Sequence, residues 1–356
     1  MTAIPKPVEK GGDFAVAVVI PCYRVKRHIL SVIDRIGPEV RTIYVVDDKC
    51  PEQSGQFVLD TCKDPRVRVL FHLVNQGVGG AVVTGYEAAI ADGADAIVKV
   101  DGDGQMDPAL IPQFVAPIFD GSADYTKGNR FFDLTNISSM PPIRIFGNAV
   151  LSFMSKLSSG YWDVFDPTNG YTAIHARVAG VLPLSKISRR YFFESDMLFR
   201  LNTVRARVVD VPMDAVYGDE ESNLKIKKIL REFLTNHLRN TVKRVFYNYF
   251  LRNFTIASIE LLLGALLMIF GIAFGGLAWI RSAAAGVETA PGTVMLATLP
   301  IIIGLQFLLA FVSYDISSMP TRALHPMLAI RNRVRLHIAN RAPETNLETS
   351  SHTAGT

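Results

Sequence analysis

Residues 98–108 read VKVDGDGQMDP, an apolar run that ends in Asp101, Asp103 and Gln105, each two residues from the next. On an extended strand alternate side chains share a face, so a strand continued through this stretch presents two carboxylates and an amide on one side. Hard oxygen donors grouped at a strand end suit Mg²⁺ or Mn²⁺ holding a diphosphate. An EF-hand loop is excluded, because the sixth position is Met106 rather than Gly and the twelfth is Pro112 rather than Glu. A purely structural turn rich in Asp and Gly stays as the alternative.

Outward from this stretch, strand and helix signals alternate. FAVAVVIPCY from Phe14, TIYVVDD from Thr42, RVRVLFH from Arg66 and DAIVKVDGD from Asp95 are apolar runs with β-branched residues. Helical stretches at 26–36, 52–62 and 79–92 separate them. Near-continuous apolar strands joined by helices predict a mostly parallel α/β sheet covered on both faces. Ligands bind off the carboxyl ends of such strands, and Pro21, Tyr23, Asp47, Asp48, Asp101 and Asp103 all fall there. The Gly-rich NQGVGGAVVTG, with Gly77 and Gly79, matches neither GxGxxG nor a Walker A loop. It opens a helix whose N–H groups can serve a phosphate or sugar, and close helix–strand packing explains its glycines nearly as well.

The chain is 49% hydrophobic with a mean hydropathy of +0.23, an excess that points to membrane segments. Two stretches concentrate it: one from Phe254, whose single ionisable residue is Glu260, and one from Val294 with none. Each reaches the roughly 20 residues a bilayer crossing needs. Gly264, Gly271, Gly275 and Gly276 permit close approach of another helix or a second copy of the chain. The start lacks the apolar core of a signal peptide. Basic flanks at Lys243, Arg244, Arg252 and Arg322, against a short connecting segment, place both termini in the cytoplasm. Residues 225–252 carry eight Lys or Arg and one Glu, with apolar residues at helical spacing, as expected of a helix lying on an anionic leaflet. Basic residues gathered beside a membrane span rather than among interleaved aromatics argue against a nucleic-acid binder. Three irregularly spaced cysteines make neither a zinc site nor a disulfide framework.

VVIPCYR, YVVDD, NQGVGGA, VDGDGQMDP, KGNRF and DPTNGY occur in the order seen in glycosyltransferase family 2. With two trailing membrane spans, the chain resembles the polyprenyl-phosphate glycosyltransferases, relatives of dolichol-phosphate mannose synthase. The resemblance implies a GT-A (Rossmann-like) domain over 14–224 after a tail at 1–13, then interface helices at 225–252. A two-helix transmembrane part at 253–320 and a cytoplasmic tail at 321–356 complete the implied organisation. It implies inverting transfer of a sugar from a nucleotide sugar, a UDP-hexose favoured over GDP-mannose, to the phosphate of a polyprenol such as undecaprenol or dolichol, with Mg²⁺ or Mn²⁺.

By position, Pro21, Tyr23 and Asp47 hold base and ribose with Asp48 nearby, and Gly77 and Gly79 adjoin the donor. Asp101, Asp103 and Gln105 take the metal and diphosphate. Arg130 faces the phosphates, and Arg144 and Asn148 sit where the acceptor phosphate is held. Glu194 and Asp196 contact the sugar or act as base, and Ser222 and Lys225 belong to a mobile loop over the donor. The family's Tyr-Asn-Glu is here Tyr23-Arg24-Val25, and its Gly-Ser after the second Asp is replaced by KCPEQSG. A non-enzymatic nucleotide-binding membrane scaffold and a family 2 transferase with another membrane acceptor stay open as alternatives. A processive polysaccharide synthase is excluded by the absent Gln-x-x-Arg-Trp motif.

Overall fold

The computed structural model describes residues 14–132, 142–214 and 226–330, without the side chains of 142–144 and 226–230. Ser222 and Lys225 of the expected mobile loop lie outside the described residues. The first half alternates β1 (Val16–Cys22), α1 (Ile29–Asp34), β2 (Val40–Asp47), α2 (Ser54–Thr61), β3 (Val67–Phe71), α3 (Val78–Ala91) and β4 (Ala96–Lys99). There follow α4 (Ile111–Phe119), β5 (Tyr125–Asn129), α5 (Pro142–Ser159), β6 (Thr172–His175), α6 (Ala176–Ala179), α7 (Phe193–Thr203) and β7 (Val208–Pro212). The seven strands form one sheet ordered β3-β2-β1-β4-β6-β5-β7. Neighbours run parallel except β6, which is antiparallel to both β4 and β5.

The apolar strands are continuous because both sheet faces are covered. Val16, Val18 and Ile20 of β1 join one core with α1 and α4, while Ala17 and Val19 join the other with α3 and α7. Gly85 answers the question of the glycine-rich helix: a Cβ there would sit 2.3 Å from Val19 Cγ1, so α3 rests on β1 only without one. The switch in strand order lies where β1 is flanked by β2 and β4, and a crevice opens off their carboxyl ends.

α8 (Ile226–Phe246) and a π-helical turn (Tyr247–Arg252) lead to α9 (Ile256–Ala285) and α10 (Pro291–Ser317). Thr255 and Ser258 form a capping box at the start of α9, and left-handed Gly286 ends it. Both α9 and α10 are long and apolar enough to cross a membrane, and few of their residues are buried, so neither is the core helix of a globular domain. They pack on each other through glycine: a Cβ on Gly304 would meet the Gly264 carbonyl at 2.9 Å, and one on Gly271 would meet Ile301 at 2.6 Å. Gly264, Gly271 and Gly275 thus serve the pair within one chain, while Gly276 faces open space.

α8 is amphipathic, with its polar side against the protein. It turns His237, Asn240 and Arg244 inward and leaves Leu234, Leu238, Val242 and Phe246 exposed at four-residue spacing. Beyond α10 the chain returns to the sheet. Asp124 accepts hydrogen bonds from the backbone of Leu324 (2.7 Å) and His325 (2.8 Å) and from His325 Nδ1 (2.8 Å), and His325 stacks on His175.

Candidate active site

The crevice is a cleft of about 1060 Å³ with two unlike halves. Its floor is polar, carrying Asp48, Asn75, Lys99, Asp101, Asp103, Thr168 and Glu194. Its wall is apolar, made by Phe146, Val150, Leu151 and Met154 of α5 with Phe233 of α8. Pro21 and Tyr23 line it from the end of β1. The Tyr23 ring is half exposed and carries the Arg24 guanidinium 5.5 Å from its centroid, a flat surface suited to a nucleobase.

The carboxylates expected to share a strand face are arranged otherwise. β4 stops at Lys99, and 101–106 form a turn in which Gly104 has φ +81° and Asp103 Oδ1 accepts from the Gln105 N–H at 2.9 Å. Asp101 and Asp103 both reach the cleft, whereas Gln105 does not line it. Among the described residues no group of three His, Cys, Asp or Glu side chains is placed to cage a metal ion. The donor set is instead two carboxylates beside open space, which suits Mg²⁺ or Mn²⁺ sharing its shell with substrate phosphates and water.

Beneath the carboxylates lies a group that motif reading missed. Lys99 is 1% exposed, with its ammonium 2.9 Å from Asp101 Oδ1 and 3.4 Å from Glu194 Oε1. Burial opposes its charge, but Asp101 and Glu194 outweigh that and hold its pKa above the ordinary lysine range. Gly170 of the DPTNGY stretch closes over this pair, since a Cβ there would lie 2.4 Å from Lys99 Nζ. A second lysine, Lys127, is fully buried and donates to the Asn169 carbonyl. Burial pushes its pKa down to about 8, partly countered by Glu194 and Asp166. For Lys99 the signal was present, as a lysine interrupting an apolar strand that must bury it with a partner.

Several predicted residues serve the scaffold. Asp47 does not line the cleft; it accepts from the backbone of Cys50 (2.8 Å) and Gly55 (2.7 Å) and shapes its own loop. Asp48 reaches the cleft, yet its oxygens accept from His72 Nδ1 (2.8 Å), the Gln76 N–H (2.7 Å) and the Gly77 N–H (2.7 Å). Gly77 lines the cleft, while the Gly79 N–H is taken by the Arg189 carbonyl at 2.9 Å. Asp196 is buried against Arg200 (3.0 Å), the Ser188 N–H (2.9 Å) and Asn240 (3.0 Å), so of the FFESD pair only Glu194 faces the cleft. Arg130 lies outside the cleft lining and forks onto Asp166 at 2.7 and 3.1 Å. Asn148 borders a separate apolar cavity of about 300 Å³ between Phe131, Phe165 and α5. Arg144 is on α5, its side chain outside the described set. Arg24, where the sequence departs from the family pattern, has a left-handed backbone (φ 59°), and its N–H meets Cys50 Sγ at 3.1 Å.

Residues 17–181 match the family model described as Glycosyl transferase family 2. The chain is 27% identical over 221 residues to the UDP-N-acetylglucosamine–dolichyl-phosphate N-acetylglucosaminyltransferase of Methanococcus voltae, covering 58% of this chain and 88% of that protein. It is 29% identical over 206 residues to the undecaprenyl-phosphate mannosyltransferase of Micrococcus luteus, covering 56% and 83%. A solved structure of glucosyl-3-phosphoglycerate synthase from Mycobacterium tuberculosis, with Mn²⁺, UDP and glucosyl-3-phosphoglycerate, aligns at TM-score 0.49 and 18% identity over 65% of this chain and 80% of that one. A sheet with its crevice at the strand-order switch, carboxylates at that crevice and a family match across the same strands agree: the chain carries a glycosyl transferase family 2 domain over residues 17–181 and is a glycosyltransferase.

Proposed function

We propose that this glycosyltransferase moves a hexose from a nucleotide sugar, UDP-linked, to the phosphate of a membrane polyprenol. The observation that carries the reading is the divided cleft: a carboxylate-rich floor facing an apolar wall built by α5 and by α8, the helix that leads into the α9–α10 pair. A charged donor suits the floor, and an acceptor with a phosphate head and hydrocarbon tail suits the wall. The relatives from Methanococcus voltae and Micrococcus luteus are both named for polyprenyl-phosphate acceptors and differ in the sugar, which supports the acceptor class more than the donor.

In this reading Pro21 and Tyr23 receive the base, and Asp101 and Asp103 hold Mg²⁺ or Mn²⁺ against the diphosphate. The bound cation supplies neutralisation of charge on the leaving diphosphate. Lys99 fixes Asp101 from beneath, and Glu194 orients sugar hydroxyls. The attacking oxygen belongs to a phosphate monoester, whose second pKa near about 6 leaves it ionised at neutral pH, so no strong base is required. Attack on the face opposite the diphosphate inverts the anomeric carbon.

The exposed Leu234, Leu238, Val242 and Phe246 of α8, next to Arg239, Lys243 and Arg252, suit the surface of an anionic leaflet. The basic flanks of the hairpin support a cytoplasmic cleft. Purified protein incubated with a polyprenyl phosphate, Mg²⁺ or EDTA, and a panel including UDP-hexoses and GDP-mannose tests the proposal by mass spectrometry of the lipid. Metal-dependent glycolipid from a UDP-hexose is the expected result. Glycolipid from GDP-mannose alone overturns the donor, and no glycolipid from any donor overturns the acceptor.

A further inference from the structure

Asp315, near the end of α10, gathers donors from three separate parts of the chain. Arg244 of α8 forks onto it at 2.6 and 3.0 Å, the Tyr249 hydroxyl donates at 2.5 Å, and Trp162 Nε1 donates at 2.9 Å. Arg244 also donates to the carbonyl of Leu157, in the last turn of α5, at 2.9 Å. Gly160 lets it approach, since a Cβ there would stand 2.7 Å from the guanidinium. Arg244 and Asp315 have side chains 3% and 4% exposed. A buried pair of this kind is costly to assemble and weak as a source of net stability, whereas its geometry is strict because every lone pair must be met.

What this knot holds is α5. The C-terminal end of the helix is tied through Leu157, and the following Trp162 is tied directly, to a membrane helix. The preceding turns, from Phe146 to Met154, are the apolar wall of the cleft. A rigid helix transmits a displacement at one end to the other. We propose that Asp315 is a positioning residue for glycosyl transfer: it sets α5, and with it the acceptor wall, from the membrane helix, leaving the donor floor on β1 and β4 independent. The acceptor part of this inference rests on the function proposed above.

The test uses the full-length protein in lipid nanodiscs, with Asp315→Asn and Trp162→Phe compared with wild type. Asp315→Asn keeps the shape and removes the charge; Trp162→Phe removes one donor and keeps the ring. Amide hydrogen exchange across 145–159 is expected to speed up about tenfold while β1 to β4 keep their protection, in line with the usual size of such couplings. With polyprenyl phosphate, the acceptor KM is expected to rise by about the same factor with an unchanged nucleotide-sugar KM. Unchanged exchange on α5 in both variants overturns the inference, as does a parallel rise in both KM values. Inactivity of the wild type with every polyprenyl phosphate refutes the acceptor reading instead, and the exchange result still decides whether Asp315 holds α5. If Asp315→Asn fails to fold, Trp162→Phe decides alone.

Discussion

Lys99 ends β4 beneath two carboxylates, and its removal separates structural from chemical roles at single-residue resolution. Breaking a fully buried ion pair costs about 3–5 kcal/mol, and the partial exposure of Asp101 places Lys99→Met below that range. With Asp101 no longer oriented, kcat is expected to fall about 10²-fold, the usual result of misplacing a reacting group by an ångström. Thermal unfolding and steady-state kinetics on one preparation check both numbers; full activity at reduced stability would make Lys99 a purely structural residue. Asp103→Asn is the complementary change, since the amide still accepts from the Gln105 N–H while the charge is gone. Transfer is expected to fall about 10³-fold, with an unaltered melting temperature, and a near-normal rate would remove Asp103 from the metal site.

That Pro21, Tyr23, Asp48, Asp101 and Asp103 line one cleft was legible in the sequence, because residues at the carboxyl ends of parallel strands have one place to go. Asp47, Asp196 and Arg130 look equally functional by residue type, and nothing in their spacing reveals that neighbouring loops and helices occupy both oxygens of each Asp and turn Arg130 onto Asp166.

At the scale of elements, α8 and α5 meet through polar contacts. His237 of α8 accepts or donates at 2.8 Å to Ser158 of α5, beneath Phe192 and Phe233. Burial pushes the His237 pKa down to about 4 from its ordinary 6.5. The folded chain therefore binds this proton less readily than the unfolded chain. The packing is fully in place above the ordinary value and is lost as pH falls from 6.5 towards 4, by at most about 3 kcal/mol. A melting-temperature series from pH 7 to 4.5 should show a shallower acid slope for His237→Gln than for wild type; parallel slopes would show that the imidazole does not control the contact. His175, also pushed down to about 4 by burial, keeps some slope in both.

The alternation of β and α in the first half was readable from period and turn residues, and so were the two long apolar helices. The role of α5 was not. Its sequence holds polar and apolar residues in an ordinary amphipathic pattern, and only packing decides that Phe146 to Met154 face a cleft. For α8 the periodicity identified a two-sided helix, and buried polar groups with good partners are what fix its polar side against the protein.

Across the whole molecule, the α9–α10 pair is held by backbone-close contact. Gly304→Val places branched carbons where the Gly264 carbonyl already sits 2.9 Å from a Cβ position, and overpacking of this kind costs about 1–3 kcal/mol. Thermal unfolding in detergent should register that loss for Gly304→Val and little change for Gly276→Val, whose position is open. Equal losses would show that the hairpin is not joined at Gly264–Gly304.

The return of the chain to Asp124 carries a further consequence. The hairpin is fastened to the sheet at its far end through Leu324 and His325, just as it is fastened at its near end through α8. A catalytic head on one tether can bob and tilt, sampling many depths; a head bolted at two points keeps one altitude above the bilayer. On the function proposed above, the cleft would then meet its acceptor phosphate at one fixed distance along the membrane normal.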